Sequence, residues 1–551
     1  MKRLRSFPAL LLLSSLLCVL PCFFLDIFYM YGDDYLMNYI ANGSFGSTYS
    51  AHLIFMQYPA GLALKGLYAL LPSVNWYAAL LIGTLAVSFA VIHYVLLQNR
   101  VHIAGIIFSI LVNAAVVPLF LTFTVAAFFS ACAGLALVLE GLKKKASYAR
   151  LIPGVLLMLL SYLIRSNCLL PVCALALPCY AALLLRKEDR MHVLSRLAAA
   201  GALLLIGLVV IRASGNAAGS SDDWKSYFAY NEARSAYLDS PEVPYADFAG
   251  EFREAGLSEE GWLLLHRWTF CEKDSFSKEK FSSFADIARQ AYTKRFRLRY
   301  LLDTFAVSPN CYLLILPGLF LLLVLLLPGK KWLRLATCLM LFVILAALTA
   351  IRLRFLLRVC VPLAADGIIF LFLSSPSAPE VKGMNPARIL RLLILAAAGV
   401  CLIFFFRGYQ GAVASLRSRK TAAGYTKLRE EIDKHPERVY IVESPIYVHL
   451  FAWGHTIDEI NSTDVFSHVI RPGSWDNFSP RYYEIAENTS VRDPDNLLSS
   501  LIDGEGIYLV TEDENYVMNF LTVEKGKEIS AASVKKRGPA RIVRLQSEEA
   551  S

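Results

Sequence analysis

The chain has 551 residues, a hydrophobic fraction of 56%, a mean hydropathy of +0.49 and a formal net charge of +9. This length and apolar content exclude a soluble multi-domain protein and predict a polytopic membrane protein. The excess of Lys and Arg does not indicate nucleic-acid binding, because these residues are scattered over the loops between apolar runs. Nearly all of the 11 Cys lie in apolar runs, with no spacing typical of a disulfide framework or a zinc site.

Apolar runs long enough to cross a bilayer recur along the chain and predict about 11 transmembrane helices. They lie at residues 9–25, 76–97, 101–119, 121–140, 151–164, 168–185, 196–213, 309–328, 332–350, 359–373 and 389–406. The first run follows a basic start, and no clear cleavage site precedes Asp26, so it is interpreted as an uncleaved first helix. The expected fold class is an α-helical polytopic membrane protein with a helical extracytoplasmic insertion and a small α/β extracytoplasmic C-terminal domain.

The apolar runs divide the chain into four parts. Residues 1–213 hold helices 1–7 with a first outer loop at 26–75, and residues 214–308 form the insertion. Helices 8–11 occupy residues 309–406, and the soluble domain occupies residues 407–551. Two patterns predict a helical insertion: a start signal at residues 258–260, and apolar residues at helical spacing after Phe276.

The soluble C-terminal domain combines short apolar runs with helical patterns. Residues 439–442 and 507–510 are predicted to be short buried strands, and residues 540–545 a last strand. Residues 425–435 and 516–523 are predicted to be helices. These elements predict an α/β domain large enough to fold on its own.

The basic residues of the short loops predict the orientation of the chain. With a cytoplasmic amino terminus, the inner loops carry most of the Lys and Arg, including 143–145, 186–190 and 330–334. This orientation places the insertion and the C-terminal domain outside. We therefore expect an integral membrane protein with both of these regions on the extracytoplasmic side.

An acidic pair, Asp33 and Asp34, follows the first apolar run at the point where a membrane helix would emerge into water. Ionisable groups at a membrane edge are candidates for function, although an ordinary acidic loop is the alternative for such a pair alone. Neighbouring residues point in different directions, so one carboxylate is expected to face a cavity and the other to hold the loop. Gly32 would let the backbone turn sharply, which favours Asp33 as the reactive group. Further along the loop, residues 58–72 are too short to span and predict an interfacial helix.

Arginines on the predicted outer side form a second candidate group. Arg165 lies between two spans, and Arg352, Arg354 and Arg358 lie where the ninth span ends and the tenth begins. Outer-side arginines run against the positive-inside trend, and guanidinium groups match the geometry of phosphate. Pairing with acidic side chains, or snorkelling in the case of Arg165, stays open as the alternative.

The layout resembles the GT-C superfamily of membrane glycosyltransferases, in particular its bacterial members. The resemblance rests on the first helix, the acidic pair in a long outer loop, the interfacial helix, about ten further spans and the C-terminal domain. It implies transfer of a sugar from a polyprenyl-phosphate donor to an extracytoplasmic glycan or protein. The catalytic carboxylate would be Asp33 or Asp34. Tyr35 and Tyr39 lie just beyond the pair, and sugar rings commonly pack on aromatic faces.

A divalent metal, Mg or Mn, accompanies the carboxylate in some members of that superfamily, and its presence here stays open. The next outer turn, residues 116–120, contains no second acid. His449 and His455 lie near Asp458 and Glu459, but their spacing matches no metal motif, and a solvated loop is the favoured interpretation.

Two other classes of protein stay open. A polysaccharide polymerase or ligase also acts on lipid-linked glycans but would not need the acidic pair. A transporter of lipid-linked glycans should carry internal repeats and polar residues at the membrane midplane, and neither is clear in the sequence.

Overall fold

The structure is a computed structural model and describes residues 6–46, 48–143, 148–240, 242–295, 331–352, 356–374, 411, 423–460, 465–502 and 504–547. Helices and a five-stranded sheet make up the fold. The helices are α1 (Phe7–Phe24), α2 (Gly32–Ala41), α3 (Tyr58–Leu70), α4 (Trp76–Gln98), α5 (Ile103–Phe120), α6 (Phe123–Gly141), α7 (Leu151–Ile164), α8 (Ser166–Leu184), α9 (Arg190–Ala218), α10 (Asp222–Leu238), α11 (Ala249–Glu254), α12 (Glu259–His266), α13 (Lys278–Arg295), α14 (Lys331–Arg352), α15 (Leu357–Leu373), α16 (Ala423–Asp433), α17 (Ser444–Phe451), α18 (Pro480–Glu487) and α19 (Asn515–Lys525). The strands are β1 (Val439–Val442), β2 (Val469–Ile470), β3 (Ile507–Thr511), β4 (Ile529–Arg537) and β5 (Ala540–Ser547).

Six of the described helices are long and apolar enough to cross a membrane: α1, α4, α5, α6, α8 and α9 with the turn before it. They correspond to six of the predicted spans, with ends that differ by a few residues. The helices α7, α14 and α15 also lie at predicted spans. The predicted spans at 309–328 and 389–406 lie outside the described residues, and the count of about 11 stays a prediction.

The helix α6 lies at the centre of the bundle, where nearly all of its residues are buried. It contacts α4, α7, α8 and α15. Gly134 of α6 meets Gly154 of α7 so closely that a Cβ atom on Gly134 would lie 2.6 Å from the Gly154 carbonyl oxygen. Small residues at such a contact let two helix backbones approach, which is a common way of packing apolar helices.

The first outer loop contains the short helices α2 and α3. The predicted helix after residue 58 is confirmed as α3, which begins with Pro59 in its first turn. Asn75 then caps α4, because its side-chain oxygen accepts a hydrogen bond from the Ala78 N–H at 3.0 Å. The same amide donates to the Ile457 carbonyl at 2.6 Å, so the start of α4 is tied to the C-terminal domain.

The insertion is helical, as predicted. Ser258 caps α12 by accepting a hydrogen bond from the Gly261 N–H at 3.0 Å, and α13 buries Phe281 and Phe284 against α10 and its neighbours. The insertion joins the C-terminal domain through Arg234, which donates to the backbone carbonyls of Ser474 and Trp475.

The C-terminal sheet has the strand order β2-β1-β3-β5-β4. The strands β1, β2 and β3 are parallel, whereas β5 is antiparallel to both β3 and β4. The predicted strands β1, β3 and β5 and the helices α16 and α19 are confirmed. The sequence did not predict β4, because most of its side chains are exposed and it lacks a buried apolar face. The strand β2 and the helices α17 and α18 are short, which leaves little periodicity to detect.

Candidate functional site

Asp34 fixes the start of α2 against two membrane helices. Its side chain is fully buried, and Oδ1 accepts hydrogen bonds from the Tyr77 hydroxyl and from the Phe123 N–H, both at 2.9 Å. Tyr77 belongs to α4, and Phe123 is the first residue of α6. Asp34 therefore joins three separate parts of the chain.

Burial also changes the protonation of Asp34. Desolvation raises the pKa of its carboxyl group to about 7, although the hydrogen bonds from Phe123 and Tyr77 oppose this shift. Its second oxygen, Oδ2, has no hydrogen-bond partner among the residues that the structure describes. Asp34 therefore holds the first outer loop in place through Oδ1, and its Oδ2 has no partner among the described residues.

Asp33 occupies a more open position beside Arg358. The Arg358 Nη1 donates to Asp33 Oδ2 at 2.6 Å, and the two side chains are 14% and 19% exposed. The Arg358 guanidinium also lies 4.6 Å from the ring centroid of Tyr31. The N-terminus of α2 therefore meets the first turn of α15 across 325 positions of sequence.

Arg165 approaches the same place from the junction of α7 and α8. Its guanidinium lies 4.7 Å from the ring centroid of Phe123 and 5.5 Å from that of Phe55. The charges of Asp33, Asp34 and Arg358 all act on it. Its Nη1 is buried and has no hydrogen-bond partner among the described residues, so it keeps donor capacity beside the acidic pair.

A third arginine, Arg471, comes from the C-terminal domain and was not predicted from the sequence. It follows β2, and its guanidinium lies 4.7 Å from the ring centroid of Tyr447. The charge of Asp33 acts on it, as does that of Asp476. Asp33 is therefore paired with Arg358, and its charge also reaches Arg165 and Arg471 from two other regions of the chain. The only sequence signal for Arg471 is its place after a short apolar run, where side chains at the end of a parallel strand meet a sheet edge.

The other predicted arginines are described only in part. Arg352 is the last residue of α14, where the structure describes the helical backbone alone. Arg354 lies outside the described residues. Of the predicted cluster, Arg358 is therefore the member whose side chain has described contacts. It pairs with a carboxylate, the arrangement that the sequence left open as an alternative to phosphate binding.

The expected role of Tyr35 and Tyr39 requires a correction. Their side chains are 2% and 3% exposed, so neither ring offers an open face to a sugar. The Tyr35 hydroxyl donates to the His455 carbonyl at 2.9 Å, and the Tyr39 hydroxyl donates to the Phe451 carbonyl at 2.7 Å. Because α2 is covered by the C-terminal domain, these tyrosines hold the two together.

The argument from Gly32 is also wrong. Gly32 does not have a positive φ, and a Cβ atom built on it would meet nothing within 4 Å. It is the exposed first residue of α2, so the backbone there does not require glycine. Asp33 is distinguished from Asp34 by its exposure and by its pairing with Arg358, not by a special turn.

The acidic pair does not form a good ligand set for a divalent metal. The Arg358 cation lies against Asp33, and one oxygen of Asp34 is taken up by Tyr77 and Phe123. A search of the described residues found no group of three or more His, Cys, Asp or Glu side chains arranged to hold a metal ion. We therefore derive no chemical step through a metal.

Comparisons with protein-family models, curated proteins and solved structures gave no match to this chain.

Proposed function

We propose that the chain is a membrane glycosyltransferase of the GT-C type, which moves a sugar from a polyprenyl-phosphate donor to an extracytoplasmic acceptor such as a cell-envelope glycan. The observation that carries the proposal is the pairing of Asp33 with Arg358, together with Arg165, whose guanidinium packs on the same Phe123 that donates its N–H to Asp34. The charge of Asp33 also reaches Arg471 from the C-terminal domain. Three cations thus act near two carboxyl groups, one of which is readily neutral because of burial. The surplus positive charge suits a phosphate group.

Asp33 would act as the general base. It would accept the proton of the acceptor hydroxyl while that oxygen attacks the anomeric carbon of the donor. The bond between the anomeric carbon and the phosphate oxygen would break, and polyprenyl phosphate would leave with the electron pair. Arg358 and Arg165 would stabilise the charge that develops on this leaving phosphate.

The pairing of Asp33 with Arg358 is compatible with Asp33 as the general base and Arg358 as a phosphate-binding cation. A guanidinium carries five N–H donors, and the contact with Asp33 uses one nitrogen of Arg358. Among the described residues, the other guanidinium donors of Arg358 make no further hydrogen bond and would be available to a phosphate. Exposed apolar side chains on the helices of the bundle, such as Leu170 and Leu177 of α8, would accommodate the polyprenyl chain.

The reaction would take place on the outer side of the bacterial plasma membrane. This orientation rests on the basic residues of the predicted inner loops. Cysteines introduced near Lys144 and near Asp513 should be labelled from opposite faces of the membrane. Labelling of both from the same face would refute the orientation.

The activity itself is tested with purified protein in lipid nanodiscs and a polyprenyl-phosphate sugar that carries a radiolabel in the sugar. With a mixture of cell-envelope glycans as acceptor, we expect the label to move to the glycan and free polyprenyl phosphate to appear. The Asp286→Asn variant is a matched control, because this carboxylate is 62% exposed, pairs with Arg289 of the same helix and lies on α13, which contributes no residue to the site, and it should retain activity. Movement of an unaltered lipid-linked glycan across a proteoliposome membrane would instead support a transporter.

A further inference from the structure

A cavity of about 390 Å³ lies where the first outer loop, the end of α9, the start of α10 and the C-terminal domain meet. Its lining comes mainly from residues 51–58, 212–216, 224–228 and 476–481. The volume falls within the range of about 300–1,000 Å³ that is typical of small-molecule sites. The acidic pair does not line it, so this cavity is distinct from the site described above.

One wall of this cavity is built from stacked rings. The indole of Trp224 stacks on the imidazole of His52, with 3.9 Å between ring centroids and an interplanar angle of 19°. Phe228 stacks on Trp224 at 5.6 Å, and Tyr58 packs on His52 at 4.9 Å. An aromatic face carries negative charge density and attracts weakly positive C–H groups, such as those on one side of a sugar ring.

The cavity lining also contains polar side chains that can form further hydrogen bonds. The side chains of Gln57, Arg212 and Asn216 line the cavity and make no hydrogen bond or ion pair with the residues that the structure describes. Two deeper groups, Asp476 and Arg481, are 3% and 6% exposed. Both are held by hydrogen bonds, Asp476 from the Ser474 hydroxyl and Arg481 to backbone carbonyls of the first outer loop.

We propose that this cavity binds a saccharide, with one ring packed on Phe228 and its hydroxyl groups bonded to Gln57, Arg212 and Asn216. Phe228 lines the cavity, is 45% exposed and is supported on its other face by Trp224, whose own faces are covered by His52 and Phe228. An apolar surface beside several free donors and acceptors is the arrangement that a hydroxyl-rich ring requires. The inference deepens the proposed function and rests on it in one respect, namely that the saccharide is part of the acceptor glycan.

The cavity adjoins the arginine site through a single segment. Ile54 and Met56 line the cavity, whereas Phe55 between them packs on Phe123 at 5.8 Å and on the Arg165 guanidinium at 5.5 Å. A saccharide held in the cavity would therefore lie beside the part of the chain that contacts the proposed donor site.

Binding is measured by fluorescence polarisation with the full chain in lipid nanodiscs. The probes are fluorescein-labelled oligosaccharides released from cell-envelope polysaccharide, with fluorescein-labelled polyethylene glycol as the negative probe. We expect Phe228→Ala to weaken saccharide binding on the order of tenfold or more, and Phe228→Tyr to restore most of it, because a flat ring is retained. The control is Trp453→Ala, which removes a tryptophan that is 43% exposed and does not line the cavity.

A second variant, Arg212→Ala, separates binding from folding, because this exposed side chain makes no described contact that the fold depends on. It should also weaken binding while leaving the melting temperature unchanged. Unchanged affinity in both Phe228→Ala and Arg212→Ala, equal weakening in Trp453→Ala, or no binding of any saccharide by the wild type would overturn the proposal.

The binding assay needs no transfer, so the two proposals fail in different ways. Saccharide binding without any sugar transfer would support the cavity and contradict the glycosyltransferase activity. Transfer that continues in Phe228→Ala with unchanged acceptor KM and unchanged affinity would contradict the cavity alone.

Discussion

Asp34 at the membrane edge and Glu272 in the insertion are two buried carboxyl groups with different surroundings. Burial raises the pKa of each to about 7. Glu272 uses both oxygens: Oε1 accepts from the N–H groups of Leu498 and Ser499 at 2.5 and 3.0 Å, and Oε2 accepts from the Ser499 hydroxyl at 2.6 Å. Asp34 uses only Oδ1, and its Oδ2 has no hydrogen-bond partner among the described residues.

Glu272 has the hydrogen bonding of a structural carboxyl group, whereas Asp34 has an unpartnered buried oxygen, a feature that also occurs elsewhere among the described residues, as at Glu443 Oε1. Glu272 joins the insertion to the C-terminal domain, and its hydrogen bonds offset the cost of burying it. A buried polar atom without a partner costs about 1–3 kcal/mol, so its persistence at Asp34 calls for an explanation. We attribute it to a ligand-binding role, because the Nη1 atom of Arg165 nearby is also buried without a hydrogen-bond partner among the described residues.

Apart from the loss of Asp33 itself, the largest expected effect on transfer concerns Arg358. If its guanidinium stabilises the leaving phosphate, Arg358→Lys should lower transfer by about 100- to 1,000-fold, because a lysine lacks the forked donors. Initial rates of sugar transfer measure this. Arg289→Lys is the matched control, since Arg289 also pairs with an aspartate but is 72% exposed, and it should be neutral. Near wild-type transfer by Arg358→Lys would remove Arg358 from the site.

A smaller effect is expected for the hydrogen bonds of Asp34. Asp34→Ala leaves the Tyr77 hydroxyl and the Phe123 N–H buried without an acceptor, which should lower the free energy of unfolding by about 1–3 kcal/mol for each donor. Asp34→Asn keeps an acceptor oxygen in that place and should lose less. Thermal unfolding in detergent compares the two variants. Equal losses would show that Oδ1 does not hold the loop.

The smallest effect concerns the pH dependence that Glu272 contributes. Burial raises the pKa of Glu272 from its ordinary value of 4.5 to about 7 in the folded chain, so the folded state holds an extra proton between these two pH values. Stability should therefore fall as pH rises from about 4.5 to about 7, by about 1.4 kcal/mol per pH unit for this one group. Glu272→Gln cannot titrate, and its unfolding curve should lack this part of the slope. A wild-type slope in the variant would contradict the shift.

Much of the fold follows from local patterns in the sequence. Long apolar runs predicted α1, α4, α5, α6, α8 and α9, and a start signal at Ser258 predicted α12. Such features depend on neighbouring residues only. The strand β4 was missed because its side chains face solvent, and its position depends on pairing with β5.

The candidate site could be predicted only in part, because its contacts join distant segments. Asp33, Arg165 and Arg358 were proposed from residue type and predicted side of the membrane, but the sequence does not show that Asp33 pairs with Arg358. Tyr35 was predicted to offer its ring to a sugar, because the packing of the C-terminal domain on α2 cannot be predicted from neighbouring residues. Arg471 was missed for the same reason.

The most direct test of the account is the rate of sugar transfer by Asp33→Asn, measured with purified protein in lipid and a polyprenyl-phosphate sugar as donor. Asn keeps the shape of the side chain and removes the base, so turnover should fall by roughly two to four orders of magnitude while donor affinity changes little. The exposed Asp286→Asn again serves as the control. Turnover close to that of the wild type in Asp33→Asn would contradict the assignment of Asp33 as the general base.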